Sequence, residues 1–251
     1  MSQAWLLGQR ALREGWRTPD ALLPTLFIPL FFLVVNVGQA AEIFPSESTG
    51  FLHGQGYGAF QLPSSLLLAA SFGTAALFLV EEIEGGYFDK LRAAPVPRTA
   101  IVSGRLIAEG VKGVLIASAI VLLGIIFGIE IASGILGFVL LILISALWAV
   151  VFTGYMQMIA LKTRSAAATN SGGLIFFPLL FLTPNFVPRD MLTRPMEIAA
   201  TLNPVTYVME TMRSLILYDL EWSDIWPGFL VVAVTGAIMV VVSTRMINNY
   251  D

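Results

Sequence analysis

The stretch Glu81 to Lys112, EEIEGGYFDKLRAAPVPRTAIVSGRLIAEGVK, is the one long charged island in an otherwise apolar chain, and its reading decides the fold. Ten of the chain's 14 basic and 17 acidic side chains fall here: Glu81, Glu82, Glu84, Asp89, Lys90, Arg92, Arg98, Arg105, Glu109 and Lys112. Such a cluster has to meet water, so the apolar runs on either side read as membrane spans joined by an aqueous loop. Gly85 and Gly86 break one helix, and Pro95 and Pro97 end the next, which leaves residues 86–92 for a short amphipathic helix. Tyr87, Phe88 and Leu91 then share a face at i, i+1 and i+4, with Asp89, Lys90 and Arg92 around it. That shape fits a groove on a soluble partner, with apolar anchors inside and charges at the rim. Shape alone leaves a second reading open, a solvated loop lying on lipid headgroups.

Composition agrees with a membrane protein. The chain is 57% hydrophobic and 12% charged with mean hydropathy +0.81, whereas soluble domains carry roughly a quarter charged residues. It has no cysteine, so a disulfide framework and a thiolate metal site are both excluded. The single histidine, His53, removes most histidine-based catalysis and multi-histidine metal binding. A net charge of −3 offers no basic stripe for phosphates, which argues against a nucleic-acid partner.

The expected fold is an all-α membrane protein with six transmembrane helices, forming a single domain over 1–251. Residues 1–20 interleave Trp5, Leu6, Leu7, Leu12 and Trp16 with Arg10, Arg13 and Arg17, which suits a helix in the membrane interface; a soluble helix is the alternative. The apolar run that follows is too long for the core of a cleavable signal. Spans are expected at Leu22–Ala41, Pro63–Val80, Ile101–Phe127, Ile135–Leu161, Ala166–Leu182 and Trp226–Met246. Residues 42–62 read as a polar, glycine-rich loop that includes His53. Residues 81–100 form the charged loop, and Arg105, Glu109 and Lys112 beyond it are spaced to pair with one another along one face. Residues 184–224 are too polar to span and too apolar for a free loop. They read as an external region with two re-entrant pieces, about 190–201 and 205–218, broken at Asn203-Pro204. No soluble domain is expected after the last span.

With both termini inside, eleven of the 14 Lys and Arg residues lie on cytoplasmic segments, against Arg189, Arg194 and Arg213 outside. This puts the charged loop where ATP is. The chain itself has no phosphate-cradling Gly-Lys pair, because Lys90, Lys112 and Lys162 follow Asp89, Val111 and Leu161. Active transport would need a separate subunit for hydrolysis. A secondary transporter would carry acids or histidine in mid-membrane, and an intramembrane protease an embedded Ser–His pair or two aspartates; the span cores have neither. A secondary transporter, on the weaker footing that this absence leaves it, and a structural membrane protein without transport remain alternatives.

Two motifs carry a family resemblance. Glu82 followed by Gly85-Gly86-Tyr87-Phe88-Asp89-Lys90-Leu91-Arg92-Ala93-Ala94-Pro95-Val96-Pro97-Arg98, and then Gly104-Arg105, resembles the cytoplasmic coupling loop of ABC transporter type-2 permeases, within them the daunorubicin-resistance branch of drug and lipid exporters. Phe186-x-Pro188, Leu202-Asn203-Pro204-Val205-Thr206-Tyr207 and the Glu210, Arg213, Leu217 spacing resemble the same family's signature.

The resemblance implies that the loop docks on a separate ATP-binding subunit, present in two copies, through Tyr87, Phe88, Asp89, Lys90, Leu91, Arg92, Pro95 and Arg98. It implies a second permease, either identical or a paralogue, and ATP and Mg bound by the partner subunit, with no cofactor in this chain. The expected setting is the inner (plasma) membrane, with the lipid bilayer as a partner and no nucleic acid. Asn36, Gln39, Asn170 and Thr183 are candidate contacts on a substrate path lined by the first, second and fifth spans, and Asn203, Pro204, Glu210 and Arg213 form a candidate external gate. Weakly charged walls favour an amphiphilic drug or lipid as substrate. A polysaccharide or glycolipid exporter of the same superfamily is the alternative.

Overall fold

In lipid a backbone N–H or C=O finds no water, and a helix bonds all of them internally, so the apolar runs fold as helices. The computed structural model describes residues 3–17, 19–72, 75–93 and 97–248, and side chains within these except Gln3, 14–17, 19–22, Ala75, Arg92, Arg98 and Asn248. Its α-helices, in chain order, are α1 (Gln3–Arg17), α2 (Pro19–Ala40), α3 (Tyr57–Ser71), α4 (Ala75–Glu84), α5 (Tyr87–Ala93), α6 (Arg98–Ile126), α7 (Gly134–Thr163), α8 (Ala166–Gly173), α9 (Phe176–Phe181), α10 (Arg194–Leu202), α11 (Pro204–Leu217) and α12 (Trp222–Asn248). No strand occurs among the described residues. Five stretches are long and apolar enough to cross a membrane: Leu23–Ala40, Tyr57–Glu84, Thr99–Ile126, Gly134–Thr163 and Trp222–Ile247.

Two boundaries differ from the sequence reading. The second span starts at Tyr57 and not at Pro63, because Tyr57, Gln61 and Ser64 are buried with hydrogen-bond partners that a polar loop would not need. The fifth is short and broken: α8 and α9 together cover Ala166–Phe181, about 24 Å at 1.5 Å per residue against a hydrocarbon core of about 30 Å. The break has a local cause. Gly172 and Gly173 weaken the helix, and Pro178 has no N–H for the carbonyl of Leu174 four residues back. That carbonyl accepts instead from the Phe177 N–H at 3.1 Å, a tighter turn.

α3 is the hub of the bundle. Every residue in it but Gly58 is buried, and it packs against α2, α6, α7 and α11. Small residues let the other helices approach: a Cβ on Gly113 of α6 would stand 3.1 Å from the Ala146 Cα of α7, and one on Gly104 would meet the Leu7 Cβ of α1 at 2.8 Å. α1 is thus seated on α6 through Gly8 and Gly104. A second, smaller core of Leu79, Val80, Phe88, Ile101, Val102, Leu106, Ala160, Leu161 and Ile247 closes the end of the bundle that carries α5.

Candidate functional site

At the α5 end, Gly86 adopts φ +69°, a conformation that a residue with a Cβ rarely takes, and this turn sends the chain from α4 straight into α5. Phe88 is 1% exposed and belongs to the chain's own core, with Leu91 packed against that core. This corrects the expectation that Phe88 anchors a partner: the two apolar residues three apart face inward and tie α5 down. The face left outward carries Tyr87, Asp89 and Lys90. Pro95 and the side chains of Arg92 and Arg98 lie outside what the structure describes.

Beneath α5, Glu82 is buried between two arginines. It accepts from Arg10 of α1 at 2.6 Å and from Arg105 of α6. The Arg10 guanidinium also stands 4.2 Å from the centre of the Tyr87 ring, a cation–π contact. One carboxylate therefore joins α1, α4 and α6, and Arg10 extends the connection to α5. Of the three residues spaced to pair along α6, Lys112 meets Glu109 at 2.7 Å, whereas Arg105 reaches across to Glu82.

At the opposite end, the segment after α9 runs between α3 and α11 without regular structure, and side chains meet its carbonyls one by one. Arg213 Nη1 donates to Pro184 at 3.0 Å, Gln61 Nε2 to Asn185 at 2.9 Å and Tyr57 Oη to Phe186 at 2.8 Å. Ser64 Oγ donates to the Asn185 side chain at 2.5 Å. Tyr57, Gln61 and Ser64 are spaced i, i+4 and i+7, one stripe of α3. Arg213 also donates through Nε to the Phe60 carbonyl at 3.3 Å, and its guanidinium lies 3.5 Å from the Phe60 ring centre. Glu210 pairs with Arg189, bidentate at 3.0 and 2.7 Å, although Arg213 stands three residues along its own helix. Burial raises the Glu210 carboxyl pKa against the opposing pull of Arg189 and Arg213. Burial likewise pushes the Arg213 guanidinium down to about 9, still charged at neutral pH.

The sequence has counterparts among known proteins. A family model described as ABC-2 type transporter matches residues 2–217. The chain belongs to the ABC-2 type transporter family. It is 24% identical over 249 residues to the daunorubicin resistance ABC transporter permease protein DrrB1 of Streptomyces coeruleorubidus, covering 96% of this chain and 83% of that one. It is 25% identical over 228 residues to the putative transport permease ycf38 of Cyanophora paradoxa, covering 86% and 74%. The ABC-2 match spans both ends described above and stops at the last residue of α11.

Within this ABC-2 chain the remaining candidates divide. Asn203 caps α11, its Oδ1 accepting from the Val205 N–H at 3.0 Å, while its Nδ2 donates to the Leu179 carbonyl at 2.6 Å; Pro204 follows at the first helical position. The first act of these two residues is to fix the start of α11. Thr183 is buried, donating to the Leu180 carbonyl at 2.5 Å. Asn36 is buried on α2 with its Nδ2 unpartnered, whereas Gln39 and Asn170 are exposed. Two clefts open around Arg213 at this end, and none of Asn36, Gln39, Asn170 and Thr183 lines either of them. The residues missed by sequence reasoning are Tyr57, Gln61, Ser64 and Asn185. The helical spacing of the first three would have found them had the helix been started six residues earlier.

Proposed function

We propose that the chain is the membrane subunit of an ATP-driven exporter that moves an amphiphilic drug or lipid-like molecule out of the cytoplasm or inner leaflet, powered by a separate ATP-binding subunit. The complex contains two such subunits and two permeases, identical or paralogous, in the inner (plasma) membrane. Both termini are cytoplasmic, and the partner subunits hold ATP and Mg. The observation that carries the reading is the outward face of α5: Tyr87 and Lys90 stand exposed on a helix that Phe88 and Leu91 tie to the core, and Arg10 joins Tyr87 to the Glu82 carboxylate. A push on that face reaches α1, α4 and α6 together. At the external end, the polar contacts of α3 and α11 with residues 184–186 form the gate. Of the path residues, Asn36 with its unpartnered buried amide is the best supported. A relative named for drug resistance supports an amphiphilic substrate.

The test is purification in mild detergent. An ATP-binding protein should co-purify in equal amount, with vanadate-sensitive hydrolysis. Tyr87→Ala combined with Lys90→Glu should release it while the permease stays folded. Phe88→Asp should instead destabilise the permease itself, since truncating a buried Phe alone costs about 3–5 kcal/mol. Retention of the ATP-binding protein by the folded Tyr87/Lys90 variant would overturn the docking assignment.

A further inference from the structure

Two clefts open side by side at the end opposite α5, and they share Pro188, Arg213 and Tyr218. One, of about 390 Å³, lies between α11 and the start of α12 and includes Arg189, Tyr207 and Glu210. The other, of about 460 Å³, is walled by Phe44, Phe51 and Phe60, with Met191 at its edge. Together they fall in the size range of sites that hold drug-sized ligands.

Arg213 lines both clefts, 7% exposed, and its buried Nη2 has no hydrogen-bond partner. Its other contacts are two backbone carbonyls and the face of a ring, none of which carries a full charge. The one carboxylate on its own helix, Glu210, acts on it through space only, its oxygens being engaged by both guanidinium nitrogens that Arg189 turns toward it. Asp190 and Asp224 also line the clefts, but both are exposed and screened by water. A desolvated cation with an unused donor is costly unless an anion completes it. Phosphate and carboxylate are the groups whose geometry a guanidinium fork matches. The walls beside it are aromatic: Phe44 lies 5.5 Å from Phe51, and Phe51 lies 4.9 Å from Phe60, ring centre to ring centre.

We propose that these clefts bind an acidic amphiphile, its phosphate or carboxylate on Arg213 and its apolar chain along Phe44, Phe51 and Met191. This deepens the exporter reading by naming a headgroup chemistry, and it is measured on the permease alone, so its failure is distinct from failure to find an ATP-binding partner.

The experiment is native mass spectrometry of the full chain in neutral detergent, titrated with dioleoyl phosphatidylglycerol, dioleoylglycerol, which has the same chains and no phosphate, and dodecyl phosphate. The wild type should retain phosphatidylglycerol about tenfold more strongly than dioleoylglycerol, the effect of one charged hydrogen bond. Arg213→Gln should abolish that preference. Gly50→Phe adds a ring to the wall of the aromatic cleft and keeps Arg213, and a Cβ at Gly50 meets nothing within 4 Å; it should abolish the preference too, and it decides the matter if Arg213→Gln does not fold. Displacement of phosphatidylglycerol by dodecyl phosphate marks an exchangeable, cargo-like ligand, and resistance to displacement marks a resident lipid. Equal retention of phosphatidylglycerol and dioleoylglycerol by the wild type, or a preference that survives in the folded variants, overturns the proposal.

Discussion

Glu82→Gln is the perturbation on which the α5 end stands. The substitution keeps the shape of the side chain and removes its charge, so what is lost is the electrostatic part of two contacts of unequal depth. Toward Arg105, both side chains are 7% exposed, and a charge-assisted hydrogen bond in such surroundings contributes about 1.5–3 kcal/mol. Toward Arg10, 39% exposed, water screens the pair to about 0–1 kcal/mol. The total, about 2–4 kcal/mol, corresponds to a fall of roughly 5–15 °C in the unfolding midpoint for a chain of this size. Arg10→Gln removes the shallow contact and the cation–π contact to Tyr87, and should cost about 1 kcal/mol. The assay is thermal unfolding of the purified permease for wild type, each single variant and the double variant. The double variant should lie within about 1 kcal/mol of Glu82→Gln, because the Arg10 to Glu82 contact is already gone. A midpoint for Glu82→Gln no lower than that for Arg10→Gln would refute the view that Glu82 holds α4 to α6.

At the other end, Gln61→Leu removes the donor to the Asn185 carbonyl, and leaving a buried carbonyl unmatched should cost about 1–3 kcal/mol, read as a lower unfolding midpoint; no change would mean that the contact does not hold residues 184–186. Glu210→Gln has a pH signature. Because burial raises the folded carboxyl pKa above 4.5, the contribution of this group to stability is fully present below the ordinary glutamate value and is lost as the pH rises through the raised one. The wild type should therefore gain stability on acidification from neutral pH toward 4.5 more steeply than Glu210→Gln, as followed by unfolding midpoints across that range. Parallel profiles would remove Glu210 as the source.

The spans were legible because their cause is local: a run of apolar residues long enough for the bilayer is one whichever neighbours it meets. α5 was legible for the same reason, bounded by Gly85-Gly86 before it and proline after it. Its orientation was not. Tyr87, Phe88 and Leu91 share a face on any helical wheel, and only the core beneath them, contributed by α4, α6, α7 and α12, decides that Phe88 turns inward. Ion-pair partners failed in the same way. Arg105 and Glu210 each had an opposite charge three or four residues away, yet each found its partner elsewhere, Arg105 on α4 and Glu210 near the turn at Arg189. Helical spacing weighs only neighbours on one helix, while Arg10 meets Glu82 across 72 residues and Arg213 meets Phe60 across 153.

The short broken segment and the polar stripe on α3 are one feature seen from two sides. Because α8 and α9 fall short of a full crossing, the chain beyond Phe181 continues as irregular backbone while still buried against α3 and α11; Thr183 and Asn185 are each 2% exposed. Irregular backbone inside a membrane protein persists only where protein groups replace the missing helical hydrogen bonds. Arg213, Gln61 and Tyr57 do this for three consecutive carbonyls, which accounts for polar side chains on the most buried helix of the bundle. The same three contacts are what must break for this segment to move, and Arg213, the only charged side chain among them, also lines both clefts. In the proposed complex the anion takes up the remaining Nη2, while Nη1 and Nε keep the Pro184 and Phe60 carbonyls. The headgroup and the start of residues 184–186 are then held by one guanidinium.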